Sequence, residues 1–159
     1  MQKQSPKEIL RGISFVYWAM LLGLVTFIVA TSLFISHTET APVTDPESVY
    51  IIKTVLIILL LGLVPLSYIF PQKQIAKIDK TLPLEQKLIF YRVAAFIRFA
   101  LMNAAGILTA LGFLLTGATN LIYLQAIILL FFIIYKPGPF KIASDLELDE
   151  NEKQQIMPH

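Results

Sequence analysis

The chain has 159 residues, 56% of them hydrophobic, and a mean hydropathy of +0.69. This much apolar sequence leaves no room for a separate soluble domain, and the lack of cysteine excludes disulfides, thiolate nucleophiles and sulfur metal sites. The formal net charge is only +2, and no nucleic-acid partner is expected.

Four apolar runs are each long enough to cross a bilayer of roughly 30 Å as a helix. They are residues 13–36, 49–70, 89–117 and 118–135. We therefore expect an all-α fold, a four-helix transmembrane bundle that occupies residues 13–136. Residues 1–12 form an N-terminal tail and residues 137–159 form an acidic C-terminal tail.

The distribution of charge predicts how the bundle is oriented. Twelve of the thirteen lysines and arginines lie in the two tails or in and just after the middle loop, residues 71–88. The loop 36–48 has acidic residues but neither lysine nor arginine. Because positive charges favour the cytoplasmic side of a membrane, both termini and the middle loop are expected to be cytoplasmic.

The first run follows a basic leader and is about 24 residues long, which exceeds the 7–15 residues of a signal-peptide core. It is therefore interpreted as a retained first span. Small residues recur along it at helical spacing and make one narrow face, for which ordinary close helix packing is the favoured interpretation. These residues are Ala19, Gly23, Thr26 and Ala30.

The second run contains Lys53 one turn from its start. Counting back from Phe70 places Lys53 about 25 Å from the inner boundary, so its ammonium can reach the outer surface. Lys53 is therefore a candidate interface anchor, with Glu47 as a candidate partner. The alternative, a buried lysine that binds a substrate, is disfavoured.

The middle loop is basic and ends in a helix start. Thr81, Pro83 and Glu85 appear in the order that marks the beginning of a helix, so the third helix is predicted to begin near Pro83. A basic segment beside a membrane most often contacts anionic headgroups, which makes membrane lipids the expected partner of residues 71–92. An acidic partner segment is the alternative.

The third run carries two arginines and an asparagine. Measured back from Thr116, Arg98 is about 27 Å and Arg92 about 36 Å from the outer boundary, near and beyond the inner interface. Both are therefore predicted to be snorkelling interface anchors. Asn103, at about 20 Å from the outer side, lies inside the hydrocarbon and needs a partner.

The fourth run supplies a candidate partner for Asn103. Gln125 lies about 15 Å from Tyr135, near the midplane of the membrane. We expect Asn103 and Gln125 to form an intramembrane polar pair, a structural contact worth about 0.6 to 2 kcal/mol. A solute-binding role for the two amides is the alternative.

The C-terminal tail has five acidic residues against three lysines, counted from Lys136. Asp149 and Glu152 have the spacing of a helix cap, but the segment is too short and polar to fold alone. Because a net-negative tail and a net-positive loop are expected on the same face, they are predicted to associate weakly.

Groups that could support catalysis are scarce. No Asp or Glu lies inside an apolar run, and His37 and His159 have no second ligand at metal-site spacing, so neither a metal nor another cofactor is expected. A lipid or quinone enzyme would have only Tyr91, Arg92, Arg98 and Asn103, without a suitable general base.

The expected function is a non-enzymatic accessory or scaffold subunit of a membrane complex, or a homo-oligomer. The alternative is a small-solute transporter or channel lined by Asn103, Thr109 and Gln125.

Short motifs in residues 85–155 add a resemblance. The motifs are Tyr91-Arg92, Arg98, Leu114-Leu-Thr-Gly117, Lys136-Pro and Asp145-Leu-x-Leu with its acidic run. This pattern resembles a family of small bacterial four-span inner-membrane proteins of unassigned function, which implies that location but no activity.

Rotary-ATPase proteolipids and small four-span multidrug exporters depend on a membrane-embedded carboxylate. The apolar runs of this chain contain none, so a proton-coupled role is disfavoured.

Overall fold

The computed structural model describes residues 5–38, 41–43 and 45–157. Residues 1–4, 39–40, 44 and 158–159, among them the predicted non-ligand His159, lie outside the description. All regular secondary structure in the described part is helical, which confirms the predicted all-α class. The helices are α1 Pro6–His37, α2 Pro46–Ile75, α3 Leu84–Thr116, α4 Asn120–Ile134, α5 Pro139–Asp145 and α6 Glu150–Ile156.

Three of these helices, α1, α2 and α3, are long and apolar enough to cross a membrane. Helix α4 has 15 residues, or about 22 Å, and is followed after a short break by α5, which is bent from it by 80°. Counting this bent pair as one span gives a fourth candidate. The described chain thus has three, or up to four, candidate membrane spans.

Local hydrogen bonds explain where the first two helices begin. Ser5 and Glu8 form a capping box, in which each side chain accepts a hydrogen bond from the other residue's backbone N–H. The Asp45 carboxylate accepts a hydrogen bond from the Ser48 N–H, which lowers the pKa of Asp45. The predicted tail 1–12 is therefore already helical from Pro6, because its polar residues supply a cap.

Helix α3 lies at the centre of the fold. Helices α1, α2 and α4 all pack against it. In its most apolar stretch 44% of the residues are buried, compared with 11% in the corresponding stretches of α1 and of α2. Glycines permit the close approach: Leu24 of α1 covers Gly106, and Leu56 of α2 covers Gly112. The central position follows from these small residues, which let neighbouring helices pack on several sides.

The connection between α2 and α3 is shorter than the predicted loop 71–88. Helix α2 continues through Pro71 to Ile75, since proline already has a helical φ and removes only one backbone hydrogen bond. Helix α3 follows Pro83, as predicted. Thr81 does not cap it: its N–H and hydroxyl both donate to the Asp79 carboxylate, which lowers the pKa of Asp79.

The C-terminal tail, which is expected to be too short and polar to fold alone, folds against the bundle. Its apolar residues join the main core, together with residues from the beginnings of α1 and α3. The tail contributes Ile142, Ala143, Leu146, Leu148 and Ile156. A segment that cannot fold alone is thus stabilised by burial of these side chains, at roughly 1.5–3 kcal/mol for each fully buried large one. The tail and the starts of α1 and α3 form one end of the molecule, the tail end.

Candidate functional site

Polar side chains from four helices gather at the tail end, close to the point where α2 and α4 finish. We call this group the tail-end cluster. Its members are Tyr68, Gln72, Lys87, Tyr91, Arg98, Tyr135, Lys141, Asp145 and Glu152.

Arg98 is enclosed by protein at the centre of the cluster, with only 2% of its surface exposed. Its guanidinium donates to the Gln72 side-chain oxygen over 3.2 Å. Its Cζ atom is 5.8 Å from the ring centroid of Tyr68 and 5.6 Å from that of Tyr135. The amide and the two rings replace water around a weakly hydrated planar cation. The side chain is therefore turned into the protein, and the role of Arg98 as an interface anchor stays a prediction.

A second cation and a carboxylate lie beside this centre. The Lys141 ammonium is 4.6 Å from the centroid of the Tyr135 ring, so Arg98 and Lys141 both contact that ring. On the α3 side, the Tyr91 hydroxyl donates to the Asp145 carboxylate over 3.2 Å. Helix α5 is therefore attached to the bundle through both Lys141 and Asp145.

Two ion pairs attach the tail to the middle loop and to α3. Lys87 and Glu152 are 2.7 Å apart, with side chains only 7% and 15% exposed. Lys80 and Glu147 form the second pair, on the exposed surface. These two pairs confirm the contact between tail and loop that their charges predict. The burial of the Lys87–Glu152 pair does not follow from charge alone.

Two further residues are predicted interface anchors, one on α3 and one on α2. Arg92 on α3 and Lys53 on α2 are both half-buried. In the described chain no ion pair joins Lys53 to Glu47. The role of Arg92 and Lys53 at a membrane interface stays a prediction, because it depends on where the bilayer lies.

The predicted pair of intramembrane amides is not formed. Gln125 is only 2% exposed, yet neither atom of its amide has a hydrogen-bond partner, and the side-chain oxygen of half-buried Asn103 has none either. Gln125 lies on the buried face of α4 with Leu121 and Ile128. Sequence gives the depth of each amide, but the rotation of the helices about their axes decides whether the two can meet.

Sequence reasoning missed most of the tail-end cluster. One signal was available, because Lys87, Tyr91 and Arg98 recur along α3 at spacings of four and seven residues, on a single helix face. Gln72 follows Tyr68 by four residues and lies on one face of α2 in the same way. The tail residues carried no such signal, since their position depends on the 80° bend after α4.

The cluster is suited to holding helices together and to attracting anions, since it combines cations with aromatic rings and amides. In the described residues no group of three or more His, Cys, Asp or Glu side chains is close enough to hold a metal ion. Comparisons with known protein families, curated proteins and solved structures give no match to this chain. The resemblance to small bacterial four-span proteins therefore stays a prediction, and function has to be argued from the geometry.

Proposed function

We propose that the chain is a non-enzymatic, multi-pass protein of the bacterial inner membrane, built as a four-helix transmembrane bundle with both termini cytoplasmic. In this proposal it is an accessory or scaffold subunit that binds another membrane protein or further copies of itself. Support comes from one observation, the small-residue face of α1, which is turned away from the rest of the molecule.

The small-residue face consists of Ala19, Gly23, Thr26 and Ala30, all of which are exposed. A Cβ atom added to Gly23 would meet no atom within 4 Å. Helix α1 packs against its own bundle through other residues instead, among them Tyr17 and Leu24, which are buried. The close packing expected for this face is therefore not made within the chain.

Lipid alone gives no reason for such a face, because lipid tails accommodate leucine and valine as easily as glycine. Between transmembrane helices, however, small residues allow the backbones to approach closely, and the resulting contacts drive association in the absence of a hydrophobic force. The four small residues follow one another at spacings of four, three and four, which places them in one groove along the helix that a second helix can occupy. The face is thus suited to a transmembrane helix of a second subunit.

The test uses Gly23→Leu, which fills the face, and Gly62→Leu as a matched control. Gly62 is also exposed on a candidate span, and a Cβ there likewise meets nothing within 4 Å. The tagged protein, expressed at its native level, is purified in mild detergent, and its mass is measured by light scattering. We expect the wild type and Gly62→Leu to retain a defined oligomer or a stoichiometric partner, and Gly23→Leu to lose it.

A wild-type preparation that contains only single chains of 17.9 kDa, without a partner, contradicts the proposal. Equal behaviour of Gly23→Leu and the wild type would show that the oligomer or partner uses another surface, which removes the observation that supports the proposal.

One observation favours the second candidate, a small-solute transporter or channel. Gln125 keeps both amide atoms without a partner in the protein, although burying such a group costs free energy. Solute flux in proteoliposomes that is abolished by both Gln125→Leu and Asn103→Leu would support this function. Gln74→Leu serves as the control, because Gln74 is exposed beyond the predicted span.

A further inference from the structure

The cations of the tail end divide into two sets with different surroundings. On the side of the middle loop, Lys80 and Lys87 are paired with tail carboxylates. On the side of α1, Lys7 and Arg11 form no ion pair in the described chain. The nearby carboxylate of Glu8 is engaged by the backbone N–H of Ser5. The acidic tail therefore offsets charge on one side of the tail end only.

Lys7 and Arg11 line a groove of about 430 Å³ between the beginning of α1 and the tail. Together with Ser14 they form the polar wall, since spacings of four and three residues place all three on one stripe of the helix. The facing wall is apolar and includes Ile142 and Ile156. The lining residues include no carboxylate.

The groove lies where the headgroups of a membrane are expected. Arg11 precedes the predicted first span by two residues, and Lys136 follows the last. The Lys136 ammonium is 5.2 Å from the ring centroid of Trp18, so the end of α4 lies beside the first turns of the predicted first span. Trp18 and Phe140 are both exposed, as is usual for aromatic rings at a membrane boundary.

We infer that this groove binds the phosphodiester headgroup of an anionic phospholipid. Lys7 and Arg11 contact the phosphate, the Ser14 hydroxyl donates to it, and the apolar wall covers the glycerol and the first acyl carbons. An anionic lipid is favoured over a zwitterionic one because the described lining of the groove has two cations and no carboxylate. The apolar wall and the exposed rings beside it favour a lipid over a soluble acidic segment.

The test compares phosphatidylglycerol with phosphatidylcholine of the same acyl chains, added to delipidated protein in detergent and measured by native mass spectrometry. We expect the wild type to retain one phosphatidylglycerol per chain in preference to phosphatidylcholine. Each cation near a membrane surface increases the affinity for anionic lipid by about fivefold, so Lys7→Gln/Arg11→Gln should weaken retention by roughly 10- to 30-fold. The matched control, Lys73→Gln/Lys77→Gln, removes the same charge from exposed lysines on the loop side and should leave retention within about twofold.

Each other outcome overturns the inference. Equal retention of the two lipids shows that charge does not select the ligand. An equal loss in the control variant assigns the lipid to the 71–92 segment, and displacement by excess inorganic phosphate assigns the groove to a soluble anion. Thermal unfolding without lipid checks that the variants fold. Arg11→Lys, which keeps the charge, should retain most of the binding.

Discussion

Lys87 and Glu152 form an ion pair of 2.7 Å although 65 positions separate them in the chain, and both side chains are largely buried. The pair joins the first turns of α3, the central helix, to α6 at the end of the tail. The same glutamate also completes the capping box that begins α6, with Asp149. One contact therefore links the fold of the tail to the fold of the bundle.

Lys87→Met should destabilise the protein by about 2 to 3 kcal/mol, because it leaves the Glu152 carboxylate buried without its counter-ion. The change should also make the tail more sensitive to protease, since the contact attaches α6. Thermal or denaturant unfolding in detergent gives the global effect, and limited proteolysis after residue 137 gives the local one. Lys87→Met/Glu152→Gln should recover part of the loss.

The exposed pair Lys80–Glu147 provides the control for this prediction. Because both of its side chains are hydrated, Lys80→Met should cost only about 0 to 1 kcal/mol. Equal effects of Lys80→Met and Lys87→Met would mean that burial of the ion pair does not determine its contribution.

Gln72→Leu tests how the buried Arg98 is held. The substitution removes the acceptor of the hydrogen bond from Arg98, which the Tyr68 and Tyr135 rings cannot replace. We expect a loss of about 1.5 to 3 kcal/mol in the free energy of unfolding, the range for hydrogen bonds to charged groups. Gln74→Leu, in the same last turn of α2 but exposed, should change it by no more than about 0.5 kcal/mol. If Gln72→Leu left the free energy of unfolding unchanged, the aromatic rings alone would account for the stabilisation of the buried Arg98.

Much of the helical arrangement could be predicted from the sequence, because apolar runs and cap residues act locally. The start of α3 after Pro83 and the capping box of Asp149 and Glu152 both follow from a few neighbouring residues. The fold of the tail did not follow, since it depends on side chains such as Ile9 that are far away in the chain. The helical spacing that predicts a cap gives no information about the surface on which the capped segment packs.

Of the candidate site, the sequence predicted Arg98 as a residue of interest, but neither its contacts nor most of its neighbours. Counting residues along a helix gave Arg98 a depth near the inner interface, and depth alone favoured a snorkelling side chain. The structure turns Arg98 inwards because Gln72 of α2 and Tyr135, directly after α4, lie on that side. The same limitation explains the failed pairing of Asn103 with Gln125, since helix rotation depends on packing across the whole interface.

Gly112→Val tests the close approach of helices at α3. A side chain at Gly112 would overlap Leu56 of α2 and crowd Leu121 of α4, so we expect overpacking to cost about 1 to 3 kcal/mol. Gly62→Val is the matched change at an exposed helical glycine and should be within about 0.5 kcal/mol of the wild type. Unfolding midpoints measured in one detergent allow direct comparison. If Gly112→Val were as stable as Gly62→Val, α2 and α3 would not be in close contact at this point.

Gln125→Met should stabilise the protein, because it replaces a buried amide that has no hydrogen-bond partner by an apolar side chain of similar length. We expect a gain of about 1 to 2 kcal/mol in the free energy of unfolding, the usual cost of an unsatisfied buried polar group. Gln154→Met, at an exposed position of α6, should leave stability nearly unchanged. A loss of stability in Gln125→Met would show that the amide has a polar partner beyond this single chain. That partner would be a residue of a second subunit if the variant also lost its oligomer, and a transported solute if the variant lost solute flux instead.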